Sequence, residues 1–229
     1  MKTALKLAFA SVLLGCSALD AQSTGSVSLR VITPPDKHSP RTVPVVIWLQ
    51  SKSGANQFRP QGKYTLRQKN RTFVPHLQVV PVGSTVQFPN VDPFFHNVFS
   101  LFDGRRFDLG LYEAGSSKAV DFYREGVSYI FCNIHPEMSA VIVALSTPYY
   151  SVTKTGQDTD ISNVPSGEYM LHVWVEGVPQ NTLNSFTRSV QIGTSHEELG
   201  QIVVTPQAKP EEHLNKFGTA YPALPHSSY

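Results

Sequence analysis

From residue 26 to residue 205 no stretch of the chain repeats apolar residues at the spacing of a helix. Short runs rich in Val, Ile, Phe, Tyr and Thr alternate instead with clusters of Gly, Pro, Asn and Asp. This confines the chain to strands and turns, because β-branched and aromatic side chains suit a pleated surface and the intervening residues supply turn geometry. The pattern predicts strands at 26–32, 43–50, 63–68, 77–80, 85–89, 96–101, 118–123, 128–132, 140–145, 150–153, 169–175, 188–192 and 201–204. So many short strands imply an all-β protein of sandwich architecture. In the segment 129–132, Ile130 and Cys132 share one face and Tyr129 and Phe131 the other.

Composition adds limits. The chain has 229 residues, 41% hydrophobic and 16% charged, enough for one or two small domains with cores of their own. A net charge of +2 with scattered Lys and Arg gives no footprint for nucleic acid. Residues 1–21 read as an export signal, with Lys2 and Lys6 ahead of an apolar run at 7–14 that is too short to span a bilayer. Two processing routes stay open. Leu13-Leu14-Gly15-Cys16 resembles a lipobox, which would anchor the protein to a membrane through Cys16; the small residues up to Ala18 or Ala21 suit ordinary signal cleavage. Either way a periplasmic or otherwise exported protein is expected, with no transmembrane span.

Only two cysteines exist, Cys16 and Cys132, and Cys16 is removed or lipidated on either route, so Cys132 has no disulfide partner. A lone thiol in an oxidising compartment is exposed to oxidation unless it is buried or bound. Its neighbours point to binding: Cys132-Asn133-Ile134-His135-Pro136-Glu137-Met138 places a thiolate, an imidazole and a thioether within seven residues, directly after a strand. Soft sulfur donors with an imidazole suit copper, whereas zinc rarely takes methionine. A second imidazole would complete a trigonal plane of two His and one Cys with a long axial Met. His96 is the natural candidate, in Pro93-Phe94-Phe95-His96-Asn97-Val98. Glu137, beside Met138, is the alternative axial donor, and the spacing favours the sulfur.

The pieces 83–90, 96–98 and 129–138 resemble, in order, the motifs of the cupredoxins, and the CxxHxxM spacing is similar to the amicyanin type. The likeness covers roughly residues 73–145. It implies a Greek-key β-sandwich holding one type 1 copper through His96, Cys132, His135 and Met138. It also implies that Asn97 hydrogen-bonds to hold the two ligand loops together. The remaining histidines (His38, His76, His172, His196, His213 and His226) lack ligand spacing and read as surface or packing residues. His76 is the one whose distance from the metal is worth inspecting. Asp108, in Phe107-Asp108-Leu109-Gly110, reads as part of a turn and strand edge.

Around this core, 148–156 and 161–174 resemble the end of a carboxypeptidase regulatory-like domain, a small prealbumin-like β-sandwich. The expected organisation is a cupredoxin domain at 67–146 inserted into a split sandwich of 24–66 and 147–206, followed by a flexible tail at 207–229. A linear two-domain chain with an N-terminal extension is the competing arrangement. No nucleophile, base and oxyanion pattern and no HExxH string occurs, so an enzyme is not expected. Electron transfer to a cytochrome or dehydrogenase partner is the leading expectation. Copper storage or delivery, or a surface interaction module, is the alternative. Neither the paired HxH and HCH clusters of a multicopper oxidase nor a second cysteine near Cys132 for a dinuclear site is present.

Overall fold

The computed structural model describes residues 23–34, 42–54, 58–60, 62–101, 104–206 and 214–221. The expected export segment, Cys16, His38, His213 and His226 lie outside them.

Among the described residues, seventeen strands and one short helix follow in order. The chain begins with β1 (Thr24–Ile32) and β2 (Pro44–Ser51). Ten strands then run without interruption: β3 (Tyr64–Thr65), β4 (Arg67–Lys69), β5 (Thr72–Val74), β6 (Leu77–Pro81), β7 (Ser84–Pro89), β8 (His96–Ser100), β9 (Phe107–Tyr112), β10 (Ser117–Phe122), β11 (Gly126–Phe131) and β12 (Ser139–Leu145). The chain closes with β13 (Tyr150–Lys154), β14 (Asp158–Pro165), β15 (Gly167–Val175), α1 (Gln180–Asn184), β16 (Arg188–Ile192) and β17 (His196–Val203). The fold is all-β, as the alternation of breakers and β-formers predicts.

The middle strands form two larger sheets, β6-β12-β11-β8-β9 and β10-β7-β3, and a two-stranded one, β4-β5. The two larger sheets share one core, in which Val86 and Phe88 of β7 and Val120 and Phe122 of β10 join Val98, Tyr112, Ile130, Ile142 and Ala144 from the five-stranded sheet. The outer strands form two more sheets, β14-β1-β17 and β13-β2-β15-β16. Strand β2 pairs antiparallel with β15, Val45 opposite Val175 and Ser51 opposite Tyr169, so segments before and after the middle strands lie side by side in one sheet.

Strand β12 explains how the layers stack. Ala140, Ile142 and Ala144 face the core that contains Cys132, while Val141, Val143 and Leu145 pack into the outer sandwich. A strand covered on both faces needs apolar side chains at every position, which accounts for the unbroken run Ala140 to Leu145. On β11, Ile130 joins the inner core and Tyr129 the outer one, as alternation requires. The Trp174 indole N–H donates to the Tyr129 hydroxyl at 3.1 Å, tying β15 to β11.

Several elements differ from the expected strands, among them β5 and the helix α1, which the pattern does not predict. β14 was not expected because Asp158, Asp160, Ser162 and Asn163 crowd its exposed face, leaving Thr159, Ile161 and Val164 as its buried residues. The segment around Asp108 is a full strand, β9, paired with β8. The expected strand 63–68 is broken at Leu66, giving β3, paired with β7, and β4, paired with β5.

Candidate metal centre

His96 opens β8, whose five residues are all buried, so its ring is fixed by the strand on which it stands. Cys132 follows the last residue of β11, and the loop to β12 carries His135 and Met138. That loop is closed by its own backbone. The Met138 N–H donates to the His135 carbonyl at 3.0 Å and the Cys132 N–H to the Met138 carbonyl at 3.2 Å.

The structure brings His96, Cys132 and His135 together. Cys132 Sγ lies 3.8 Å from His96 Nδ1 and 3.6 Å from His135 Nδ1, and the donor atoms of all three lie within 4.8 Å of one another. Sulfur and nitrogen donors bonded to one ion at about 2.3 and 2.0 Å, and about 120° apart, would be separated by about 3.7 Å, so this set fits a shared metal ion. Met138 is 1% exposed and belongs to the same core cluster as Cys132. Glu137 points its exposure the other way, to solvent. His96 is fully buried and His135 partly exposed, so one imidazole connects the group to the surface. Phe94 sits against both rings, at centroid distances of 5.2 Å from His96 and 5.9 Å from His135.

Protonation states follow from the surroundings. Burial pushes the Cys132 thiol up, opposed by the backbone N–H groups of Asn97, Ile134 and His135, which favour the thiolate. Burial, with the nearby His96 and Arg71, holds the His135 imidazole below the usual histidine value, leaving a neutral ring nitrogen free to bind.

Asn97 spans the two ligand-bearing segments. Its Oδ1 accepts the Asn133 N–H at 3.2 Å and its Nδ2 donates to Asp108 at 2.8 Å.

Sequence reasoning missed Asp92. This carboxylate, 5% exposed, lies 2.9 Å from His96 Nε2. An ionised carboxylate only accepts, so Nε2 carries the proton and the lone pair is on Nδ1, facing the sulfur. The carboxylate is itself gripped by the β4–β5 turn, whose Asn70 and Arg71 N–H groups donate to it at 2.6 and 2.9 Å. Both turn residues have positive φ, 55° and 54°. Asn tolerates this conformation; for Arg71 it costs roughly 1–2 kcal/mol, retained where it serves the carboxylate and places the guanidinium over Phe94. Burial pushes Asp92 up, but the two N–H groups and His96 outweigh it and hold the carboxyl below its usual range. Asn90 fixes the same loop from behind, donating to the Phe94 carbonyl at 2.7 Å and accepting the Asp92 N–H at 3.1 Å. A carboxylate four residues ahead of a candidate ligand was the only clue in the sequence.

Among the other histidines, His76 reaches Glu176 at 2.5 Å and the Ser139 carbonyl at 3.2 Å, outside the donor group. His172 stacks on Trp48 at 5.1 Å, and His196 lies between the hydroxyls of Ser26 and Ser28. The expected flexible tail also has a described part. Within 214–221, the Tyr221 hydroxyl donates to the Cys132 carbonyl at 2.9 Å and the Lys216 N–H to Asn133 Oδ1 at 2.8 Å.

No family model and no curated protein matches the chain. Among solved structures, it is similar to a purple cupredoxin from Nitrosopumilus maritimus, with 23% identity over 36% of this chain and 100% of that one, at a TM-score of 0.34. A reduced amicyanin carrying the substitution P94F matches with 20% identity over 37% of this chain and 83% of that one, at 0.34. A Cu-containing nitrite reductase from Thermus scotoductus matches with 19% identity over 50% of this chain and 28% of its own length, at 0.35.

Proposed function

We propose that this chain is an exported type 1 copper protein of the cupredoxin kind that carries electrons and is not an enzyme. The observation that supports it most is the buried Cys132 sulfur set 3.6 and 3.8 Å from two imidazole nitrogens. Copper bound there would accept and release one electron. Thiolate and thioether are soft donors and imidazole is intermediate, so Cys132, Met138, His96 and His135 together suit both oxidation states of copper. Asp92 and Asn97 hold the donors in place, and a preset geometry keeps rearrangement small when the charge at the site changes. The part-exposed His135 edge would face a cytochrome or dehydrogenase partner.

The outer sandwich has a supporting role in this reading. Its resemblance to carboxypeptidase regulatory-like domains, together with the pairing of β2 with β15, suits a non-catalytic platform into which the copper domain is inserted.

The test is to load the mature protein with Cu(II) and record visible and electron paramagnetic resonance spectra and a voltammogram. An intense sulfur-to-copper charge-transfer band, a small hyperfine splitting and a reversible couple are expected, with the band lost in Cys132→Ser. A colourless complex would overturn the type 1 assignment. Copper that passes readily to an acceptor protein and shows no reversible couple would replace electron transfer with storage or delivery.

A further inference from the structure

Four side chains beside the donor group close a ring of hydrogen bonds. The Asn133 N–H donates to Asn97 Oδ1, Asn97 Nδ2 to Asp108 Oδ1, Lys216 Nζ to Asp108 Oδ2, and the Lys216 N–H to Asn133 Oδ1. The ring joins the ligand loop, β8, β9 and the C-terminal segment, with Lys216 eighty-three residues beyond Asn133. A second link lies next to it, where the Tyr221 hydroxyl donates to the Cys132 carbonyl at 2.9 Å.

We propose that the C-terminal segment carrying Lys216 and Tyr221 is a clamp that fixes the backbone of the Cys132–Met138 loop against β8 and β9, and so governs how tightly and rigidly the metal is held.

The chemistry of each contact supports this role. Asp108 is bound by Lys216, Asn97 and the Gly110 N–H at 2.9 Å, and these donors outweigh burial and hold its carboxyl below the usual range. It therefore stays ionised as the acceptor at the centre of the ring. A carbonyl oxygen only accepts, so the Tyr221 hydroxyl is the donor in its bond to Cys132. The contacts fall on Cys132 and Asn133, where the loop leaves β11. A shift of backbone there would displace the sulfur directly, whereas the far end of the loop is anchored by β12. Lys216 bonds the Asn133 side chain and Tyr221 the Cys132 carbonyl, and both act as positioning residues.

The effect on the metal rests on the copper reading; the effect on the backbone does not, and the test separates them. In the full-length, copper-free protein, amide hydrogen exchange is measured for Tyr221→Phe, Lys216→Met, the pair combined, and Asp108→Asn, which opens the ring from β9. Loss of hydrogen bonds worth about 1 kcal/mol each should speed exchange between Asn133 and Met138 about fivefold for one substitution and by more for the pair. Exchange in β15 should not change, and Lys216→Arg should restore slow exchange. Unchanged exchange at 133–138 in the combined variant would overturn the clamp. With copper bound, the combined variant should release Cu(II) to a chelator several-fold faster and shift the midpoint potential. Faster exchange with an unaltered release rate and potential would overturn its influence on the metal. If the wild type forms no copper complex at all, the functional reading falls while the exchange data still decide the clamp.

Discussion

The Asp92 carboxylate lies 2.9 Å from Nε2 of His96, on the opposite side of the imidazole from the Cys132 sulfur. One residue thereby fixes which nitrogen of the ring is free, and the two N–H groups of the Asn70–Arg71 turn fix the carboxylate.

Replacing Asp92 by Asn keeps the shape and removes the charge that orients the His96 imidazole. Copper affinity in Asp92→Asn should fall about tenfold to a hundredfold, as substitutions behind a metal-binding His commonly do. Competition against a chelator of known affinity measures this. Wild-type affinity in the variant would show that the ring is held by β8 alone.

Met138 is buried with Cys132, while its neighbour Glu137 is exposed. Met138→Leu fills the same space without a sulfur donor, a swap of similar volume that should cost under about 1.5 kcal/mol in stability. Loss of an axial donor disfavours Cu(II) relative to Cu(I), so the midpoint potential should rise while the blue colour stays. A potential unmoved by this change would remove Met138 from the ligand set.

His76 bridges Glu176 and the Ser139 carbonyl, joining the outer sandwich to the strand that follows the ligand loop. Its hydrogen bond to Glu176 raises the imidazole above the free value of 6.5, against the opposing effect of burial. The protonated ring is favoured in the folded state. Its contribution is therefore fully present below pH 6.5 and is lost as pH rises through the raised folded value. Both side chains are substantially exposed, at 44% and 32%, so solvent screens the pair and the effect is small. The urea midpoint of the wild type should decline over that window, and His76→Gln should flatten the decline. Identical pH profiles would show that the bridge does not contribute.

Trp174 is fully buried and its indole N–H bonds to Tyr129. Trp174→Ala should cost about 3–5 kcal/mol and remove the indole bond to the Tyr129 hydroxyl. Trp174→Phe should cost less but loosen the outer sandwich from β11. Thermal or denaturant unfolding of the copper-free protein reads both. A loss under about 1 kcal/mol for the alanine variant would show that the two cores do not depend on this contact.

Local features could be read from the residues alone. The alternation of β-formers and breakers sets the strand class, and three donor types within seven residues set the ligand loop, because a tight loop after a strand keeps such neighbours together in any fold that buries Cys132. His96 drew attention through its own short pattern, and Asn97 through the resemblance to the cupredoxins. Tertiary structure decided the rest. The double burial of β12, the strand character of β14, the grip of the Asn70–Arg71 turn on Asp92, and the return of Lys216 and Tyr221 to the ligand loop all join residues far apart in the chain. In the last three cases the polar side chains look like ordinary surface residues in sequence. Each gains its role only when folding brings a donor or acceptor opposite it and removes the water that would otherwise have satisfied it.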